Sequence, residues 1–125
     1  MAPKRPVYLN LAQIKLPLPA LVSILHRISG MLLFLFIPFL LYLLQHSLGT
    51  QEEFTALQSW LNHPLMKLVM LGLTWTFLHH FFAGLRFLLL DLHIGTELRQ
   101  ARLLSVAVLA LSLIFTLVFA AAWLW

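Results

Sequence analysis

No cysteine occurs in the 125 residues, which removes disulfides, thiolate metal sites and thiol nucleophiles together and leaves the redox compartment unread. Charged side chains are nearly as scarce, at 10% of the chain. The net charge of +4 comes without any basic run interleaved with polar surface, so it carries topology information and excludes a nucleic-acid footprint. There is no internal repeat and no low-complexity tract. The N-terminal stretch MAPKRPVYLNLAQIKLPLP lacks the apolar core of a signal peptide and the Arg- and Ser-rich pattern of a transit peptide. That points to a bacterial inner (cytoplasmic) membrane protein.

What the chain does have is apolar length. Hydrophobic residues make up 62% of it, with a mean hydropathy of +0.94. A soluble domain of this size leaves too much surface in water to hide so much Leu, Phe and Val. The fold class is therefore an all-α membrane protein with three transmembrane helices, a cytoplasmic N-terminus and lipid as main solvent. Each of three segments meets the roughly 20 helical residues needed to cross the hydrocarbon. The chain is expected to divide into a surface segment at 1–20, a first span at 22–48, an outer loop at 49–63, a second span at 64–92, a cytoplasmic loop at 93–102 and a third span at 103–125. Pro38 predicts a kink in the first span, and a short interfacial helix is expected around Phe54 to Leu61. Pro64 suits the first turn of the second span.

Basic residues set the orientation. Lys4, Arg5, Lys15 and Arg27 precede the first span or sit at its start, Arg99 and Arg102 follow the second, and the loop from Leu48 to Pro64 has no Lys or Arg. The positive ends belong on the cytoplasmic side. Trp123 and Trp125 then fall in the opposite aromatic belt, and Lys67 is expected to snorkel to the outer surface.

The second span carries HHFFAGLRFLLLD, His79 to Asp91. His80, Gly84, Phe87 and Asp91 recur at helical spacing and predict one stripe, with His79 about 100° to one side of it and Arg86 about 120° away on the other. A neutral imidazole in mid-membrane suits haem iron, and a glycine one turn on leaves room for a flat macrocycle. The same histidine equally suits a hydrogen bond to a neighbouring helix or a proton path, and Gly84 suits helix packing. Arg86 and Asp91 near the end of the span are expected to snorkel or to pair with each other.

The second constellation is SILHRISG, Ser23 to Gly30. Ser23, His26 and Arg27 share one helical face at the mouth of the first span, where a hydroxyl, an imidazole and a guanidinium suit carbonyl or carboxylate oxygens. The bland alternative makes Ser23 an N-cap and Arg27 a topology anchor. The preceding KLPLP cannot be continuous helix and is expected to lie along the membrane surface.

Taken together, RPVYLNL, then SILHRISG opening the first of three spans, then HxxxGxR with an Asp closing the second, resemble the cytochrome b (large membrane anchor) subunit of succinate:quinone oxidoreductase, respiratory complex II. The resemblance covers essentially the whole chain. It implies haem b shared with a second membrane anchor subunit, an iron–sulfur subunit and a flavoprotein subunit docked on the cytoplasmic side, and quinone as the substrate reduced at the membrane. By motif matching it implies His80 as the axial ligand of the haem iron, Ser23 and Arg27 at the quinone, and His26, Arg27, Gly84 and Arg86 around the cofactor. Phe87 stands where many members carry His, so no second polar contact to the haem edge is expected there. An anchor of a quinol:fumarate reductase, a purely structural membrane subunit and a small transporter are the competing readings. The ionisable groups gather at mid-membrane and one end, which disfavours the last.

Overall fold

The computed structural model describes residues 13–124, and its elements are helices throughout. Lys4, the whole RPVYLNL motif from Arg5 to Leu11, and Trp125 lie outside the described residues. Helix α1 (Leu18–Leu35) starts after an extended Pro17, with Pro19 in its first turn, where the missing N–H has no partner to lose. Ser23 is thus well inside the helix and is not its N-cap. Pro38 offers no N–H to the carbonyl four residues back, and the expected kink takes the form of a break at Phe36, after which α2 (Ile37–Ser47) resumes. The pieces stay linked by Phe36 N–H to the Leu32 carbonyl at 3.0 Å and Leu40 N–H to the Phe36 carbonyl at 2.9 Å.

Helix α3 (Gln51–Leu61) begins three residues before the expected Phe54, because Thr50 and Glu53 form a capping box. The Thr50 N–H donates to Glu53 Oε2 at 2.7 Å and the Glu53 N–H donates to Thr50 Oγ1 at 3.2 Å. The bond from the Thr50 backbone, reinforced by its side chain, holds the Glu53 carboxyl below the ordinary carboxylate range.

Helix α4 (Pro64–Asp91) follows His63, whose Nδ1 accepts from the Leu65 N–H at 3.3 Å. It ends in a Schellman turn, with Ile94 N–H to Leu89 and His93 N–H to Leu90, both at 2.9 Å. His93 takes the left-handed position usually given to glycine, at φ 61°, and Gly95 follows at φ 83°. Helix α5 (Leu98–Phe119) therefore starts well before the expected residue 103, and a π-helical turn (Ala120–Leu124) closes it. Arg99, Gln100 and Arg102 marked the edge of the apolar run, but polar residues in water are compatible with helix, so the lipid boundary and the helix boundary differ.

Among the described residues three helices are long and apolar enough to cross a membrane: Leu18–Leu35, Pro64–Asp91 and Leu98–Trp123. Helices α1, α4 and α5 pack together, joined by the apolar cluster of Val22, Ala83 and Val108. Apart from His79 and Arg86, the buried polar residues are small: Ser29, Thr76, Ser105, Ser112 and Thr116. Their hydroxyls donate to carbonyls of their own helices, as in Ser105 to Ala101 at 2.7 Å and Thr76 to Gly72 at 2.8 Å, so burial leaves them satisfied. Phe34, Leu35, Leu41, Leu68, Leu113 and Phe115 face outward. Small groups inside and large apolar groups outside suit a lipid solvent, where close backbone approach drives helix association.

Candidate functional site

The polar corner forms where α1 crosses α4. His80 Nδ1 lies 3.1 Å from Ser29 Oγ and 3.1 Å from the His26 carbonyl oxygen. The imidazoles of His26 and His80 stack with centroids 4.2 Å apart and planes 10° from parallel. Phe87 covers the other part of His26, at 5.0 Å and tilted by 50°. This approach requires Gly30, since a Cβ there would stand 2.9 Å from His80 Cε1. Gly84 faces His26, and a Cβ on it would reach His26 Nε2 at an ordinary 3.8 Å.

His80 Nε2 makes no hydrogen bond among the described residues, and it is not enclosed. His79 is its opposite. Its side chain is 0% exposed and faces the Val22 backbone, but neither ring nitrogen meets a partner in full hydrogen-bond geometry among the described residues. Trp75 stacks on it at 5.2 Å.

Arg86 does not lie across the His80 stripe from His79. Seven residues turn a helix by about 700°, close to two full turns, so His79 and Arg86 share a face with Ala83 and point into the bundle. Arg86 is 5% exposed, its Nε has no partner among the described residues, and its guanidinium carbon lies 5.6 Å from the Phe87 ring centroid. Asp91 is exposed and does not pair with it, because five residues place the two about 140° apart. The expected snorkelling or mutual pair is thus replaced by a buried guanidinium.

Ser23 and Arg27 are brought together as expected, by a long contact of 3.5 Å from Arg27 Nη2 to Ser23 Oγ. Arg27 is exposed and Ser23 half-buried on the outer side of α1. His26, although one residue from Arg27, turns toward α4. The structure therefore splits the expected Ser23, His26 and Arg27 face into an outward hydroxyl–guanidinium pair and an inward imidazole. Ser29 and Gly30 were missed by the spacing argument. Their signal was within SILHRISG, three and four residues after His26.

Among the described residues no three His, Cys, Asp or Glu side chains converge on a metal-ion site. A single accessible imidazole lone pair suits iron already held by a macrocycle, not a bare ion. A cleft of about 570 Å³ lies elsewhere, between Leu33, Leu73, Phe77, Phe115 and Trp123. Its Thr74 hydroxyl is taken by the Met70 carbonyl at 2.8 Å, so it has little with which to orient a polar ligand.

Comparison with known proteins adds a second line. Residues 1–119 match the family model described as succinate dehydrogenase/fumarate reductase transmembrane subunit. A succinate dehydrogenase cytochrome b556 subunit from Coxiella burnetii (strain RSA 493 / Nine Mile phase I) is 38% identical, with 100% of both chains covered. One of the same description from Paracoccus denitrificans is 32% identical over 88% of this chain and 85% of its own.

Proposed function

The chain belongs to the succinate dehydrogenase/fumarate reductase transmembrane subunit family, and on that premise we propose that it is an anchor that binds haem b and quinone. His80 is the axial ligand of the haem iron in this reading. The observation that carries it is the contrast within the imidazole: Nδ1 is tied to Ser29 and the His26 carbonyl, while Nε2 is unpartnered and accessible. A metal-bound histidine typically has its second nitrogen held in this way. His26 lies parallel to His80 at 4.2 Å, stacked on it, so within this pair His80 would hold the iron and a second ligand would come from a second membrane subunit. His26, Arg27, Gly84 and Arg86 belong to the surroundings of the macrocycle, with Gly84 keeping the His26 edge open.

Haem b, when bound, supplies a one-electron carrier. The substrate chemistry falls to Ser23 and Arg27, at the membrane mouth of α1. Succinate is oxidised in a flavoprotein partner and electrons arrive through an iron–sulfur partner. Reduction of quinone to quinol takes two electrons and two protons and builds negative charge on the quinone oxygens. A hydroxyl and a guanidinium aimed at those oxygens stabilise that charge as it appears. Both relatives are named for succinate dehydrogenase, which favours succinate oxidation over fumarate reduction as the working direction.

The host membrane is a bacterial inner membrane, with Lys15, Arg27, Arg99 and Arg102 on the cytoplasmic side. A reduced-minus-oxidised visible spectrum of the complex assembled with its partners tests the cofactor: a b-type band is expected, and its absence overturns the reading. For the orientation, a cysteine at position 52 should be labelled from the outer side; labelling from the cytoplasmic side alone reverses it.

A further inference from the structure

The hydrogens in the polar corner are fixed by elimination. Ser29 Oγ lies 2.8 Å from the His26 carbonyl oxygen. A carbonyl oxygen only accepts, so the hydroxyl proton points to it. His80 Nδ1 lies 3.1 Å from that same oxygen and 3.1 Å from Ser29 Oγ. With the Ser29 proton committed, both neighbours turn lone pairs toward Nδ1, so Nδ1 carries the hydrogen. In a neutral imidazole the lone pair is then on Nε2. Ser29 is 2% exposed, which keeps solvent from competing for this bond.

We infer that Ser29 is a positioning residue for the iron ligand: its hydroxyl, oriented by the His26 carbonyl, holds His80 in the Nδ1–H form and leaves the Nε2 lone pair free for haem iron. The inference rests on the haem reading above. Gly30 is the steric half of the same device, because only a residue without a side chain lets His80 approach Ser29 so closely. The consequence is electronic as well as geometric. An Nδ1–H that donates strongly makes the imidazole more basic, which favours ferric over ferrous iron.

The test uses the whole complex with Ser29→Ala, Ser29→Thr and Gly30→Ala. Ser29→Ala leaves Nδ1 with the carbonyl alone, so the haem midpoint potential should move to a more positive value and haem should be lost about 10-fold more readily to an excess of apo-globin. Ser29→Thr keeps the hydroxyl and should restore both properties. Gly30→Ala should displace the ring and weaken the low-spin spectrum although every hydrogen-bonding group remains. If Ser29→Ala prevents assembly, Ser29→Cys keeps the volume with a weaker acceptor and should shift the potential in the same direction. An unchanged potential and haem retention in Ser29→Ala, or equal shifts in the Ala and Thr variants, overturns the inference. Its failure is separable from that of the haem reading: His80→Ala removes the spectrum if only Ser29 has been misjudged, and leaves it if His80 is not the ligand.

Discussion

On one face of α4, His79 lies with Ala83 and Arg86 against α1 and α5, sealed from outside, facing the Val22 backbone but without a partner in full hydrogen-bond geometry among the described residues. On the adjacent face His80 is half-buried, stacked on His26 and bonded through one nitrogen, with the other left accessible. The same side chain thus appears twice in succession in two environments. Burial alone does not make a histidine a ligand. A ligand needs one nitrogen held and the other reachable, and of these two adjacent histidines it is His80 that has that division.

The most direct way to break this contrast is to remove each imidazole in turn. His80→Ala should abolish the low-spin haem spectrum or convert it to high spin, whereas His79→Ala should leave it nearly unchanged, as read in the visible spectrum of the assembled complex. Loss on changing His79 alone would reverse the assignment. A smaller effect is expected on the outer side of α1. Arg27→Ala should lower quinone reduction by roughly 10- to 100-fold, and Ser23→Ala by roughly 3- to 10-fold, in line with charged against neutral hydrogen bonds. Electron delivery to a soluble dye acceptor should stay largely intact in both, since the pair serves only the membrane pocket. Normal quinone reduction in both variants would move the pocket elsewhere.

The smallest effect sharpens the sealed side of the comparison. A buried imidazole that makes no full hydrogen bond costs up to about 1–3 kcal/mol relative to a satisfied group. His79→Leu, similar in bulk and apolar, should therefore raise the thermal midpoint of the complex by a few degrees without altering the haem band. A fall in midpoint would mean that His79 has a structural partner, the Val22 backbone or a group in the assembled complex.

Much of the fold was legible because lipid simplifies the code. Apolar runs of spanning length declare themselves, Pro38 announces a break, and Pro64 announces a start. Less visible were the Thr50–Glu53 capping box that lengthens α3 and the His93 turn that lets α5 begin at Leu98. Both depend on local geometry that hydropathy does not register. At the site, the choice of His80 over His79 came from motif resemblance, and the neighbouring residues offered only the slight difference between Gly84 and Ala83. The larger steric difference lay on another helix, in Ser29 and Gly30.

By itself the sequence determined three apolar spans, the bias of basic residues toward one end, and the pairing of SILHRISG with HHFFAGLR, because each is a property of the chain's own periodicity and charge. Only the tertiary structure decided which α4 face turns inward, since that depends on α1 and α5 packing against it through Val22, Ala83 and Val108. Once that packing is set, His79 and Arg86 are enclosed together and His80 meets the Ser29 hydroxyl and the His26 carbonyl. A hydrogen bond across 51 residues of chain exists only because two helices cross at Gly30, and helical spacing within α4 carries no information about that crossing.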